Sequence, residues 1–265
     1  MARRPAAGSG ESGFEREGAR MEESMGCGAG EGVTREGRRA PGYGAGAAPE
    51  YDASDFVVLT QVVPDVIEEI RYFGTYNFLG RRFAGYEQPC ALMTREAAQA
   101  LRRASDEFVR LGYRLRVYDT YRPQRAVDGL VAWALDAQDT AMKRVFYPNV
   151  DKERLFELDF VARRSKHSHG STADVTLFDV ASGHDVDMGS PFDLFDPVSH
   201  AECTGLTERQ VANRHLLRDV MLASGFEGLY SEWWHFTLVD EPYPDTFFDF
   251  PVRADVAGGV WAPGR

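Results

Sequence analysis

An α+β fold, with a small and mainly antiparallel central sheet flanked by helices, is predicted by the order of periodic segments in this 265-residue chain. Three segments have helical periodicity or helix-capping signals, and three others alternate in the manner of strands. Some of the predicted strands are joined by long loops, which favours an α+β arrangement. The hydrophobic share of 43% is ordinary for a globular protein.

The first predicted helix begins after Thr94, where apolar residues recur every three or four positions until Gly112 provides a C-terminal stop. A second helix is predicted from Pro123, a residue that suits the first position of a helix. A third helix is predicted from Thr207 and Gln210, which form a Thr-x-x-Gln capping box. The chain therefore supplies three helices to flank a sheet.

The strands are predicted from shorter alternating segments, namely YRLRVYDTYRP, ADVTLFDV and WWHFTLV. Residues 71–86 are aromatic and rich in turn residues, which predicts a structured loop. Residues 51–265 are accordingly expected to form one folded domain.

Residues 1–50 differ in composition from the rest of the chain. They contain twelve of the 26 glycines, seven arginines and eight glutamates, and almost no large apolar residues, so a disordered tail is predicted. Arg3 and Arg4 are not followed by an apolar stretch of signal-peptide length. A cytoplasmic location is therefore expected.

Charge and cysteine usage exclude several classes of function. The net charge is −11 and the body of the chain has no basic run, so nucleic acid is not an expected partner. No apolar run approaches the roughly 18 residues of a membrane span, so a membrane is not expected either. The three cysteines form no CxxC pair, which gives no support to a thiolate zinc site. Cys90 and Cys203 would pair in an exported protein and stay reduced in a cytoplasmic one.

The segment SKHSHGSTAD suggests a metal site. Gly170 lets the chain turn between His167 and Asp174, and the strand that follows points Asp174 and Thr176 to the same face. His167 and Asp174 are therefore candidate metal ligands. The alternative is a turn capped by Asp174 beside a surface histidine.

The segment SEWWHFTLV supplies a second pair of candidates. Glu232 and His235 have opposite parity in a strand, so both reach one metal only if the chain bulges near Glu232 and Trp233. The alternative is an ordinary strand edge with both polar side chains in solvent. Arg122 lies between a predicted strand and Pro123 and is a candidate for the positively charged group of the site. The alternative interpretation is a surface ion pair between Arg122 and Asp119 or Asp128.

Together these elements match what a zinc hydrolase needs. Such a site has three protein ligands and an open position for water, with a general base and an oxyanion donor nearby. In this order they resemble the D-alanyl-D-alanine dipeptidases of the VanX type, a branch of the LAS (M15) zinc peptidases.

The resemblance extends over the whole body of the chain. The signature Ser-x-His-x-x-Gly-x-Ala-x-Asp corresponds to Ser165, His167, Gly170 and Asp174. The motifs Glu-x-Trp-His and Tyr-Arg-Pro correspond to Glu232, Trp234 and His235, and to Tyr121, Arg122 and Pro123. Two further segments match at Tyr72, Asn77, Phe78 and Gly80, and at Met188, Gly189, Phe192 and Asp193. One departure is Thr172, which replaces the alanine of the signature.

The resemblance implies an LAS-type zinc peptidase fold and a catalytic domain over residues 51–265. It implies one Zn²⁺ per chain, held by His167, Asp174 and His235. Glu232 becomes the general base, and Arg122 stabilises the oxyanion.

The resemblance also implies substrate contacts. Asp193 and Tyr72 would meet the free ammonium of a dipeptide, and Ser165 would lie close to the substrate. His169 falls on a variable position of the signature, so we expect it to face solvent or to lie just outside the ligands.

Zinc-dependent hydrolysis of D-alanyl-D-alanine is the function that the resemblance implies, in antibiotic resistance or in D-alanine scavenging. A D,D- or L,D-carboxypeptidase is the second hypothesis, although such enzymes need no ammonium partner. A non-catalytic zinc-binding domain is the third, and it would be expected to lack Glu232 or Arg122. The partner is a small dipeptide, and homo-oligomer formation is left open.

Overall fold

The computed structural model describes residues 53–258. The predicted tail, residues 1–50, lies outside them, as do residues 51–52 and 259–265. The strands are β1 (Phe56–Val58), β2 (Ile67–Glu68), β3 (Leu92–Thr94), β4 (Tyr113–Asp119), β5 (Thr172–Asp179), β6 (His184–Asp185), β7 (Phe226–Leu229) and β8 (Glu232–Leu238). The α-helices are α1 (Leu59–Val62), α2 (Arg95–Arg110), α3 (Gln124–Leu135), α4 (Lys143–Phe146) and α5 (Glu208–Ala223). Short 3₁₀ turns cover Lys152–Arg154, Lys166–His169 and Pro197–Ser199.

The main sheet has the strand order β2-β4-β5-β8-β7, with β6 paired to the far end of β5. Only β2 and β4 run parallel, and the other pairs are antiparallel. Strands β1 and β3 form a separate antiparallel pair. The predicted α+β fold with a mainly antiparallel sheet is therefore confirmed, and β5 lies at its centre.

The first predicted helix packs its apolar face on the sheet. Ala97, Leu101, Ala104 and Phe108 of α2 are fully buried, and α2 contacts β4 and α5. Leu111, which the pattern included in the same face, follows the end of the helix and is exposed. Burying this stripe fixes α2 over β4, the strand that leads to Arg122.

The predicted helix starts are close to the observed ones, but the way in which the helices are capped differs from one to the next. The capping box of Thr207 and Gln210 is present at the start of α5. Thr94 does precede α2, but its hydroxyl makes no cap and instead lies 2.8 Å from the hydroxyl of Ser171. This bond ties α2 to the residue before β5. Pro123 lies one position before α3 rather than inside it.

Residues 71–86 form the predicted structured loop, which adds an aromatic layer to the core. Tyr72, Phe78, Phe83 and Tyr86 are each about 2% exposed. The rings of Tyr72 and Phe83 stack with centroids 4.2 Å apart, and the ring of Phe78 meets both edge-on. This packing fixes the position of the Tyr72 hydroxyl, which points into the candidate site.

Two other expectations concern the chain as a whole. Within residues 53–258, no helix is long and apolar enough to cross a membrane. The thiol of Cys90 is free, so this residue is not paired with Cys203.

Candidate active site

Asp174 and His235 lie directly opposite each other on neighbouring strands. Antiparallel pairing of β5 with β8 places them in register, with Oδ1 of Asp174 3.2 Å from Nδ1 of His235. Cross-strand partners project from the same face of a sheet, so the register alone brings the two side chains together. Both are buried, at 1% and 8% exposed.

The bulge that the sequence predicted near the start of β8 is present. Gly228 of β7 pairs with Phe236, but the next residue, Leu229, pairs with Glu232. One step along β7 therefore corresponds to four along β8, and the residues between lose their pairing to β7. This irregularity places Oε2 of Glu232 3.6 Å from Nδ1 of His235, despite their opposite parity.

His167 reaches the same place from the 3₁₀ turn that precedes β5. The side chain of Ser165 accepts a hydrogen bond from the backbone N–H of His167 at 3.3 Å and caps the turn. Gly170 ends the turn with a φ of +81°, and a Cβ there would overlap the ring of Phe56. Only glycine fits this backbone and this space. The turn brings Nε2 of His167 to 3.2 Å from Oδ2 of Asp174.

His167, Asp174 and His235 form one buried group whose candidate ligand atoms all lie within 4.8 Å of one another. Nε2 of His167 is 3.3 Å from Nδ1 of His235. Oδ1 of Asp174 is buried and accepts no hydrogen bond from the described residues, which suits coordination of a cation. Two imidazoles and one carboxylate are a donor set found in catalytic zinc sites with an open fourth position.

The protonation of these groups also suits a metal. Burial lowers the pKa of His167, and the charge of Arg122 opposes protonation further, which keeps this imidazole neutral near pH 7. Burial alone raises the pKa of Asp174, but its contacts with His167 and His235 outweigh this and hold the pKa below its ordinary value. Nδ1 of His167 lies 2.5 Å from the carbonyl oxygen of Thr120. This fixes the tautomer and leaves Nε2 free for a metal.

Glu232 has the properties of a general base. Its side chain is 17% exposed and lies beside the three candidate ligands. Burial raises its pKa to about 7, against the lowering effect of His235 and with a further rise from the charge of Asp174. A carboxylate with a pKa near the working pH is suited to take up a proton and release it again.

Arg122 follows β4 and is held by a buried carboxylate. Its Nε donates to Oδ2 of Asp119 at 2.9 Å, and Asp119 also accepts a bond of 2.6 Å from the hydroxyl of Tyr86. One terminal nitrogen lies 3.5 Å from Oδ2 of Asp174, and the guanidinium lies over the ring of Tyr72. A surface ion pair with Asp119 was the alternative interpretation of Arg122 from the sequence. The ion pair is present, but it is buried rather than on the surface, since Arg122 and Asp119 are 8% and 1% exposed.

Asp193 and Arg122 are linked through the hydroxyl of Tyr72, which accepts from Arg122 at 3.4 Å and donates to Asp193. Oδ1 of Asp193 accepts a hydrogen bond of 3.1 Å from the hydroxyl of Tyr72, whereas Oδ2 is buried without a hydrogen-bond partner in the described part of the chain. The backbone of Asp193 has a φ of +61°, a strained value of the kind that concentrates at functional sites. Burial raises the pKa of Asp193 well above its usual range, and the charge of Asp174 raises it further. Such a carboxyl group suits a cationic ligand.

These side chains line one cavity of about 230 Å³, the size of a small ligand. The cavity is bordered by all eight predicted site residues, namely Tyr72, Arg122, Ser165, His167, Asp174, Asp193, Glu232 and His235. Phe78, Leu130 and Phe160 form part of an apolar wall. The structure therefore brings together every residue that the sequence proposed for the site.

Two residues near the site have contacts that were not identified from the sequence. Asp119 was considered only as a surface partner, although its place at the end of β4, three residues before Arg122, was a usable signal. His169 does not face solvent. It is 5% exposed, and its Nδ1 lies 3.2 Å from both carboxylate oxygens of Glu241.

Comparison with known proteins agrees with this geometry. Residues 52–253 match the peptidase M15 family of D-ala-D-ala dipeptidases. A D-alanyl-D-alanine dipeptidase of Enterococcus faecalis is 41% identical over 197 residues, which are 74% of this chain and 98% of that protein. A relative of the same name from Streptomyces coelicolor is 39% identical over 75% of this chain and 98% of its own length. One from Escherichia coli is 32% identical over 80% of this chain and 96% of its own length. The chain therefore belongs to the D-alanyl-D-alanine dipeptidase family of the M15 peptidases, which are metal-dependent enzymes.

Proposed function

We propose that this protein is a zinc-dependent dipeptidase that hydrolyses D-alanyl-D-alanine. The observation that carries the proposal is the placement of three kinds of group around one small cavity. A group of three residues that could hold a metal ion, a carboxylate with a raised pKa, and a buried carboxyl oxygen without a hydrogen-bond partner among residues 53–258 all border it. The names of the four similar proteins support the choice of substrate.

We infer that one zinc ion per chain is held by His167, Asp174 and His235. When bound, zinc would polarise the scissile carbonyl and make a water molecule easier to deprotonate. The buried Oδ1 of Asp174 and Nε2 of His167, whose Nδ1 is directed to the carbonyl oxygen of Thr120, would supply lone pairs for it. Nitrogen and oxygen donors in this number favour zinc over magnesium or calcium, which prefer all-oxygen sites.

Glu232 is proposed to take the proton from the attacking water and to deliver it to the leaving amine. A single carboxyl group performs both steps most readily when its pKa is close to the working pH, as that of Glu232 is. Arg122 is proposed to donate to the oxyanion that develops on the carbonyl carbon. Its attachment to Asp119 keeps the guanidinium in place before the substrate arrives.

Asp193 is proposed to bind the free ammonium of the dipeptide through Oδ2, while Tyr72 holds Oδ1. Ser165, at the border of the cavity, is proposed to lie beside the substrate. A buried carboxyl group in this position, whose ionised form an ammonium group would stabilise, favours substrates with a free amine close to the scissile bond. This favours a dipeptidase over a carboxypeptidase, whose longer peptides present no charge there.

Activity on a matched set of substrates tests the proposal. Zinc-loaded protein should hydrolyse D-Ala-D-Ala and be much slower with L-Ala-L-Ala, N-acetyl-D-Ala-D-Ala and a longer peptide ending in D-Ala-D-Ala. Faster release of D-alanine from the longer peptide would replace the dipeptidase proposal with the carboxypeptidase one. No turnover of any peptide by protein that holds zinc would favour a non-catalytic role.

Metal content tests the proposed ligands separately from turnover. Elemental analysis should find about one zinc per chain in the wild type and a large loss in His235→Ala. Equal and full occupancy in both proteins would remove His235 from the ligand set. A cytoplasmic location remains a prediction from the N-terminal sequence, and a role in resistance or in scavenging of D-alanine remains a prediction of the family resemblance.

A further inference from the structure

Two threonines lie one step along the sheet from the candidate ligands. Thr172 of β5 pairs with Thr237 of β8, and the next pair in register on the same face is Asp174 with His235. Thr172 and Thr237 are 0% and 2% exposed. Two buried hydroxyls therefore stand directly beside the pair that is proposed to bind metal.

The hydroxyls form a chain that ends on His235. Oγ1 of Thr172 lies 2.9 Å from Oγ1 of Thr237, and Oγ1 of Thr237 lies 3.5 Å from Nε2 of His235. The other ring nitrogen of His235, Nδ1, faces His167 and Asp174. Thr237 thus contacts the side of the imidazole that points away from the candidate metal position, and Thr172 contacts Thr237.

The chemistry of imidazole gives this contact a purpose. A neutral histidine that binds a metal through Nδ1 must have its proton on Nε2, and that N–H needs an acceptor when it is buried. For His167 the equivalent acceptor is the carbonyl oxygen of Thr120, which has no proton of its own. For His235 the acceptor is a hydroxyl, which either accepts or donates.

Thr172 decides between these two roles of the Thr237 hydroxyl. When Thr237 donates its proton to Oγ1 of Thr172, its own lone pairs are left to accept from Nε2–H of His235. Without Thr172, the same proton is free to turn toward Nε2, which would favour the tautomer that carries a proton on Nδ1. Hydrogen bonds in such a chain also strengthen one another in a buried site.

We propose that the Thr172–Thr237 hydroxyl pair is a positioning element that holds His235 in its metal-binding tautomer. The inference rests on the proposed metal site. It gives a role to the residue that departs from the family signature, since Thr172 stands where the signature has alanine. The separation of 3.5 Å is long for a hydrogen bond, so we expect a moderate effect on affinity.

Zinc affinity of the full chain tests this inference without reference to turnover. Metal-free protein is titrated with zinc against a chelator of known affinity. Thr237→Val, which keeps the shape and removes the acceptor, should weaken binding about tenfold, at the lower end of the range for residues that orient a ligand. Thr172→Ala should weaken it less, by about threefold, and Thr237→Ser should restore the wild-type value.

A matched control and a spectroscopic measurement separate positioning from general damage. Thr176→Val removes a buried hydroxyl on the other side of Asp174 in β5 and should leave zinc affinity unchanged. In ¹⁵N spectra of the zinc-loaded protein, His235 should show a protonated Nε2, and this signal should change in Thr237→Val but not in Thr176→Val.

The outcomes distinguish this inference from the proposed function. If wild-type protein binds no zinc, the metal site and the positioning role both fail. If the wild type binds zinc and Thr237→Val binds it within twofold as tightly, with an unchanged His235 signal, only the positioning role is overturned. If Thr237→Val does not fold, Thr172→Ala decides, because it restores the residue of the family signature.

Discussion

Replacing Asp193 by asparagine should remove the preference for substrates with a free amine. Asparagine keeps the size of the side chain and an oxygen that can accept from the hydroxyl of Tyr72, which lies 3.1 Å from Oδ1. It removes the negative charge that the buried Oδ2 would present to an ammonium group. The change is therefore confined to charge recognition.

The size of the effect follows from the burial of the carboxyl group. Removing one partner from a buried, hydrogen-bonded charge pair costs about 2–5 kcal/mol. At about 1.4 kcal/mol per decade this is a loss of roughly 30- to 5,000-fold in kcat/KM for D-Ala-D-Ala. Asp193 is 4% exposed but borders a cavity, so we expect a value near the lower end, about 100-fold.

The assay compares D-Ala-D-Ala with N-acetyl-D-Ala-D-Ala in the wild type and in Asp193→Asn. The acetylated peptide carries no ammonium, so its kcat/KM should change little, and the ratio of the two substrates should fall about 100-fold. Tyr72→Phe removes only the hydroxyl that orients Asp193 and should lower the ratio less. An unchanged ratio in Asp193→Asn would show that the amine is bound elsewhere, and the main support for a dipeptidase would be lost.

The remaining predictions concern catalysis, stability and the extent of the domain. Glu232→Gln and Arg122→Ala should both retain zinc by elemental analysis. The expected loss in kcat is about 10²–10⁴-fold for Glu232→Gln and about 10²–10³-fold for Arg122→Ala. Loss of zinc in either variant would refute a purely catalytic role for that residue. Gly170→Ala should lower the free energy of unfolding by about 1–3 kcal/mol in urea titrations, and it should also weaken zinc binding. The reason is that the new methyl group would overlap the buried ring of Phe56 at a residue with positive φ. Unchanged values would show that the turn adapts. Burial raises the pKa of Tyr118 well above 10, so this phenol ionises at a lower pH in the unfolded chain than in the folded one. The free energy of unfolding should therefore fall as pH rises above about 10, and it should fall less steeply in Tyr118→Phe. Equal slopes of unfolding free energy against pH in the two proteins would exclude a contribution from Tyr118. A chain without residues 1–50 should keep wild-type kcat and KM, since the family match begins after them, and a large loss would give the tail a role.

The parts of the fold that sequence patterns predicted are those fixed by local chemistry. The capping box at Thr207 depends on residues three positions apart, and the same pattern appears in the structure. The bulge at Glu232 was predictable because two residues of opposite parity had to reach one point. The bond from Thr94 to Ser171 was not predictable, since it joins residues 77 positions apart.

The surroundings of the site show the same limit. Asp119 was a surface candidate in the sequence because nothing local shows that the loop of residues 71–86 covers it with Tyr86. The burial of His169 was not evident from the sequence, because its partner, Glu241, comes 72 residues later. Motifs therefore located the reacting groups, whereas the residues that support them depended on tertiary packing.

The charges around the cavity indicate which ligands it is built to hold. Asp119, Asp174, Asp193 and Glu232 bring four carboxyl groups close together. Arg122 forms ion pairs with Asp119 and Asp174. Burial raises the pKa values of Asp193 and Glu232, and the charge of Asp174 raises both further. A positive charge beside Asp174, Asp193 or Glu232 stabilises the ionised forms of these carboxyl groups. The cavity therefore favours cationic groups, and a metal ion beside Asp174 and the ammonium group of a substrate beside Asp193 would each offset part of the negative charge.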